Sequence, residues 1–205
     1  MSQQNNIIKS GTAVVGFGKT GKGVLDFLLE EDLIKSFCGV RDRRGRFFQK
    51  EPLTAGGKIY LFNDTPIGGD DVVEKRGYEE KGVVFLEGED QFNRLQGVGL
   101  IILSPGVDGR APRFSKLREK GAVIISEIEL AFGFIPGSIP IIAVTGTNGK
   151  STTVSLVHHL LKSGGINSFL TGNIGTPLIS QVGRISREGE AVVVLEVSSF
   201  QLEEI

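Results

Sequence analysis

Residues 139–165, IPIIAVTGTNGKSTTVSLVHHLLKSGG, pass from an apolar run through a glycine turn into a run with helical spacing. Such a passage places a tight turn at the end of a strand and starts a helix directly after it. The unpaired N–H groups of the helix N-terminus are then gathered at the turn. Residues 12–31 make the same passage, from TAVVGF into GKTGKGVLDFLLEE. The likeness is architectural rather than a sequence repeat. Two strand–turn–helix units in one chain predict a βαβ architecture with largely parallel sheets, an α/β fold.

The remaining pattern agrees. Residues 12–17 read as a first buried strand, and 21–31 as a helix with Val24, Leu25, Leu28 and Leu29 on one face. Residues 34–40 read as the second strand, ending at Arg41-Asp42. Residues 58–62, 83–86 and 99–103 are further strand candidates, and a helix over 112–120 leads to a strand over 122–126. Residues 43–57, RRGRFFQKEPLTAGG, show neither period and read as a loop, its arginines either solvated or gripping phosphate. Pro136-Gly137-Ser138 reads as a linker, so the expected units are 1–135 and 136–205. The second is expected to supply strands over 139–144, 168–171 and 191–197, a helix over 151–162 packed through Val154, Val157, Leu160 and Leu161, and a short helix after Pro177. About three strands are few for a doubly wound sheet. The last strand is therefore expected to present an unpaired edge, and proteolysis to begin after about residue 135.

Composition narrows the function. Of 205 residues, 40% are hydrophobic and 23% charged, and 23 Lys+Arg against 24 Asp+Glu leave a formal charge of −1. That balance calls for neither nucleic acid nor an anionic membrane surface. The single cysteine, Cys38, forms no internal disulfide, which suits a reducing compartment. The opening MSQQNNIIKSG has no apolar signal core, and no apolar run approaches the ~18 residues of a membrane span. A cytoplasmic protein is the expectation.

The two turns differ in chemistry. Gly16-Phe17-Gly18-Lys19-Thr20-Gly21 is a G-x-G-x-x-G that follows a strand and opens a helix, the pattern by which a backbone approaches a diphosphate. Asp42 lies 21 residues beyond Gly21 at a strand end, where a carboxylate meets a ribose, or where it is simply a turn residue. The second turn, Gly146-Thr147-Asn148-Gly149-Lys150-Ser151-Thr152, is a shortened form of G-x-x-x-x-G-K-[ST]. Backbone amides there suit phosphate, Lys150 the β/γ oxygens of a triphosphate, and the Ser151 hydroxyl Mg²⁺. Glu196 interrupts the apolar run AVVVLEV, and a carboxylate so placed needs a partner, for which Mg²⁺ is a candidate. Adjacent His158 and His159 point in different directions on a helix and do not read as a metal pair.

VTGTNGKST, TGNIGTP at 171–177, LEVSSFQLE at 195–203 and LSPGV at 103–107 together resemble the Mur ligases of peptidoglycan synthesis, and most of all the D-glutamate-adding branch of that family. The resemblance runs from GFGKTG to QLE. It implies a Rossmann-like UDP-binding unit followed by the first part of a P-loop ATPase unit. It further implies that the rest of that unit and a third unit are missing, so that the chain alone is expected to lack ligase turnover. By resemblance, Gly18, Lys19, Thr20 and Gly106 lie on the UDP side, with Asp42 and Arg44 near the uracil. Asn173 and Ser198 lie near the muramoyl-alanine, Lys150 at the γ-phosphate, and Ser151 and Glu196 on Mg²⁺. The implied cofactors are ATP and Mg²⁺, and the implied substrates UDP-N-acetylmuramoyl-L-alanine and D-glutamate, joined through an acyl phosphate. The full-length protein is expected to be a monomer. The stretch from Asp42 to Ser104 is longer than the family usually needs, with LFNDTPIGGDD read as extra material.

Two rival readings stand at this point. An NAD(P)-binding oxidoreductase would use G-x-G-x-x-G and Asp42, with Arg43 and Arg44 suiting a 2′-phosphate, but leaves the second turn without a role. A non-catalytic UDP-sugar-binding module would use the first unit alone. A different amino-acid ligase of the superfamily is disfavoured by SSFQLE.

Overall fold

The structure, a computed structural model, describes residues 11–30 and 58–203. The expected strand over 34–40, with Cys38, Asp42, Arg43, Arg44 and the loop over 43–57, lies outside the described residues. Apolar runs become strands: β1 (Thr12–Val15), β2 (Ile59–Asn63), β3 (Val84–Glu87), β4 (Leu100–Leu103) and β5 (Val123–Ser126). All are parallel, in the order β3-β2-β1-β4-β5. The order reverses at β1, so the turn after β1 sits at the switch point where ligands of open α/β sheets bind. Beyond residue 140, β6 (Ile141–Val144), β7 (Ser168–Gly172) and β8 (Val192–Glu196) form a second parallel sheet in the order β6-β8-β7. The expectation of an unpaired last strand is corrected: β8 bonds on both sides, and the edges fall on β6 and β7.

The helices are α1 (Lys19–Leu29), α2 (Asp71–Glu80), α3 (Pro112–Glu119), α4 (Glu127–Phe132), α5 (Lys150–Ser163), α6 (Val182–Glu188) and α7 (Ser199–Glu203), with 3-10 turns at Glu89–Leu95 and Ile179–Gln181. Two helices escape the sequence pattern. In α2 only Tyr78 is buried and Val73 is exposed, so no apolar stripe marks it. In α4 five of six residues are buried, Glu127 and Glu129 among them, which hides the period from the other direction.

The packing expected of α5 is also corrected. Val154 is fully buried, but Leu160 is 60% and Leu156 55% exposed, as is much of Ile142 on the edge strand β6. A three-stranded sheet with its edge at β6 gives this helix too little surface to cover. On its other side the second sheet is well covered. One apolar cluster runs without a break from Val14, Leu25 and Ile102 to Leu178, Ile185 and Val193. Phe27 of α1 meets Phe134 edge to face at 4.7 Å, and Gly23 lies so close to Ser180 that a Cβ would strike its hydroxyl. Such contiguity is what one hydrophobic core requires. The Pro136-Gly137-Ser138 linker is a tight exposed turn, closed by the Ile139 N–H on the Pro136 carbonyl at 3.0 Å. A second cluster, with Phe62, Phe92 and Phe114, covers the opposite face of the first sheet. Among the described residues no helix is long and apolar enough to cross a membrane.

Candidate functional site

The three glycines of the first turn have three different reasons to be glycine. Gly16 has φ +99°, the left-handed region that a side chain avoids. Gly21 lies against Gly16, where a Cβ would collide with the Gly16 carbonyl. Gly18, the residue before α1, has an ordinary φ of −78° and open space where a Cβ would stand. The fold needs Gly16 and Gly21; Gly18 is left for something that approaches from outside. This division matches what a dinucleotide-type turn demands. Lys19 is exposed and Thr20 half-buried on the first turn of α1. Gly106, in the loop after neighbouring β4, is likewise exposed with nothing near its missing side chain.

A residue that sequence reasoning missed holds this turn. The Asn63 Oδ1 accepts the Phe17 N–H at 3.3 Å, while its Nδ2 donates to the Thr65 carbonyl at 2.8 Å. Asn63 sits within LFNDTPIGGDD, whose first three residues end β2, the strand bonded directly to β1. Asp64 follows, at the position where a strand-end carboxylate meets a ribose. Both its oxygens accept from the Arg113 guanidinium, the second at 3.0 Å. Arg113 in turn lies over the rings of Phe92, Phe114 and Phe62 at 4.8, 5.2 and 5.6 Å. A bidentate pair backed by aromatic faces fixes the carboxylate in place. The signal was available: an acid right after an apolar strand, hidden because 34–40 competed for the same place.

The second turn is open. Residues 145–149 are exposed, with Gly146 at φ +145° and Gly149, the residue before α5, at φ +79°. The Lys150 Nζ bends back to donate to the Gly146 carbonyl at 2.8 Å, closing the loop on itself, and the Thr153 hydroxyl donates to the Gly149 carbonyl at 2.8 Å. Thr147, Asn148, Ser151 and Thr152 are exposed around this ring. Glu196 ends β8 in register with Val144, the last residue before the loop. It is 2% exposed, and its Oε2 has no hydrogen-bond partner. A buried carboxylate oxygen left over beside a phosphate-type loop is a fit for a hard cation, and the Ser151 hydroxyl is a second oxygen donor of the right kind.

The Asn173 turn connects the two. Its N–H donates to the Glu196 carbonyl at 3.1 Å, and its side chain is exposed. Gly172 closes the turn by donating to the Thr176 carbonyl at 3.1 Å. On the far side, the Gly175 carbonyl accepts from Lys19 Nζ, so the first glycine turn touches the turn that carries Asn173. Ser198 is engaged elsewhere. Its Oγ accepts the Gln201 N–H at 3.3 Å while the Gln201 Oε1 accepts the Ser198 N–H at 2.9 Å, a reciprocal cap on α7. His158 Nδ1 pairs with the Ser168 hydroxyl at 2.9 Å, and burial pulls its pKa down. It ties α5 to β7.

Two parallel sheets, each with a glycine turn at the carboxyl end of its strands, define an α/β protein in which the first glycine turn touches the turn over 172–176 through Lys19 and Gly175. The comparisons are specific. Residues 144–204 match the Mur ligase middle domain. A UDP-N-acetylmuramoylalanine–D-glutamate ligase of Clostridium kluyveri is 36% identical over 190 residues, covering 92% of this chain and 35% of the relative. One from Christiangramia forsetii is 43% identical over 123 residues, 58% of this chain and 26% of the relative. A solved structure, a murein peptide ligase mpl from Psychrobacter arcticus 273-4, covers 92% of this chain and 37% of its own, with 16% identity and a TM-score of 0.42, a likeness too slight to carry an argument. Over 92% of its length the chain is similar to a ligase of the Mur family, and residues 144–204 match that family's middle domain. It spans about a third of the length of the curated relatives it matches.

Proposed function

We propose that this chain is the nucleotide-clamping part of an ATP-dependent ligase that adds D-glutamate to UDP-N-acetylmuramoyl-L-alanine in the cytoplasm. The observation that carries the reading is the contact between Lys19 and Gly175, which joins a diphosphate-type turn to the Asn173 turn and, through it, to Glu196. A substrate with a nucleoside diphosphate at one end and a carboxylate at the other would span that path. The units are residues 1–135, for the UDP moiety, and 136–205, the first part of the ATP-binding unit. The full-length protein is read as a monomer.

The chain's residues divide the work. The N–H groups around Gly18, with Thr20 and the Lys19 ammonium, take the diphosphate at the N-terminus of α1. Gly106 leaves room beside it. Asp64, oriented by Arg113, takes the ribose or uracil end; Asp42 and Arg44, assigned there by resemblance, lie outside the described residues. Gly146 to Thr152 would hold ATP, with Lys150 released from Gly146 to face the γ-phosphate, and Ser151 and Glu196 would hold Mg²⁺. Bound there, ATP would supply the γ-phosphoryl group that activates the L-alanyl carboxylate as an acyl phosphate, with ADP as the leaving group, and attack by the D-glutamate amine would then form the amide and expel phosphate. Asn173 meets the muramoyl-alanine end. Ser198 presents its backbone there, since its hydroxyl is spent on the cap. The protein's contribution is to align the reacting groups and set positive charge where negative charge gathers.

A calorimetric titration of the chain with UDP-N-acetylmuramoyl-L-alanine tests the reading, with NADPH as the control. The UDP compound is expected to bind, and Asp64→Asn to weaken it by about tenfold, the loss of one charged contact. Binding of NADPH in its place would overturn the ligase reading.

A further inference from the structure

A carboxylate outside the two turns closes the seam between the sheets. Glu127 opens α4 at the carboxyl end of β5, and is 1% exposed. Its Oε1 accepts the Ile179 N–H at 2.7 Å, and the Leu178 N–H also reaches the carboxyl. These amides begin the 3-10 turn of the other sheet, where Leu178 stands as a cap residue without a side-chain cap of its own. A helical start ordinarily takes its cap from Ser, Thr, Asn or Asp in its own chain segment. Here the acceptor comes from 52 residues away, on the five-stranded sheet.

What lies just before those amides gives the contact its meaning. Pro177 and Leu178 continue directly from the turn over 172–176. The near end of that turn is already fixed: a Cβ on Gly172 would strike the Glu196 carbonyl, one on Gly175 would meet the Leu170 carbonyl oxygen at 2.8 Å, and the Asn173 N–H is bound to Glu196. Its far end is set by Glu127. Lys19 completes the clasp from α1. We propose that Glu127 is a positioning residue that fixes the Asn173 turn relative to the first glycine turn, so that one bound substrate can reach both. This rests on reading Asn173 as a substrate contact. The environment of the carboxyl agrees with a dedicated role: burial pushes it up to about 7, with only the Ile179 and Leu178 amides pulling back. Hydrophobic packing would fill the same seam without that cost.

The test compares Glu127→Leu and Glu127→Gln in the 205-residue chain, with Leu117→Ala in the other core cluster as a control for general destabilisation. Amide exchange followed by NMR should show Asn173 and Ile179 exchanging at least about tenfold faster in Glu127→Leu than in Leu117→Ala, because the opening is local. Glu127→Gln, whose amide oxygen still accepts, should restore protection to within about threefold of the parent. Equal exchange in Glu127→Leu and Leu117→Ala would overturn the proposal. Calorimetry then separates it from the functional reading. Loss of about tenfold in affinity for UDP-N-acetylmuramoyl-L-alanine in Glu127→Leu, recovered in Glu127→Gln, supports both. Local opening with unchanged affinity leaves Glu127 as the clasp and removes the Asn173 turn from the substrate site. If the parent chain binds no UDP compound, the functional reading fails and the exchange data alone judge the clasp.

Discussion

The two glycine turns begin alike and end differently. The first is locked before any ligand arrives: Asn63 holds its backbone, Gly21 packs on Gly16, and Lys19 is clasped to Gly175. It stands on a five-stranded sheet covered on both faces. The second turn is exposed throughout, its lysine folded onto its own loop, on a three-stranded sheet whose outer helix leaves Leu156 and Leu160 bare. The same local chemistry therefore rests on unequal foundations. A phosphate cradle is only as preorganised as the strands and helix behind it.

The largest expected effect falls on the shared core. Phe27→Ala removes the ring that meets Phe134 across the seam and should cost about 3–5 kcal/mol in urea unfolding. A loss below 1 kcal/mol would mean the sheets do not share one core. Next come two glycines of the same motif. Gly21→Ala sets a methyl group against the Gly16 carbonyl and should cost about 3 kcal/mol, whereas Gly18→Ala, with open space, should change stability by no more than about 0.5 kcal/mol and still abolish binding of the UDP compound. Equal stability losses would erase the division of labour between them.

The seam should also carry a pH signature. The Glu127 acid sits at about 7 in the fold against an ordinary 4.5. Between those values the folded chain keeps a proton that the unfolded chain has released. Stability from this group is therefore present below pH 4.5 and declines as pH rises towards 7, with a slope of up to about 1.4 kcal/mol per pH unit. Unfolding at several pH values should show that decline in the parent and its absence in Glu127→Gln. The smallest effect belongs to the bare face: Leu160→Gln should change stability by no more than about 0.5 kcal/mol, and a cost above 2 kcal/mol would show that α5 is covered in solution.

Much of this was legible in the sequence, for stated reasons. Central parallel strands are continuous apolar runs, and among the described residues they were placed to within two residues. Glycine motifs announce turns because few residues substitute for them. Legibility failed where burial and polarity part company. Glu127 reads as surface and is among the most buried residues; Leu160 reads as core and is exposed. Asn63 acts through one hydrogen bond to a turn 46 residues away, and no spacing rule reports that. The place of β8 between β6 and β7 is likewise a matter of topology, which the order of runs along the chain does not reveal.

The most direct test of the unequal foundations is a pair of calorimetric titrations of the unmodified chain, one with UDP-N-acetylmuramoyl-L-alanine and one with ATP and Mg²⁺. The account predicts that the UDP compound binds at least about tenfold more tightly than ATP, a difference of about 1.4 kcal/mol in favour of the preorganised turn. ATP binding as tightly as the UDP compound, or more so, would contradict it.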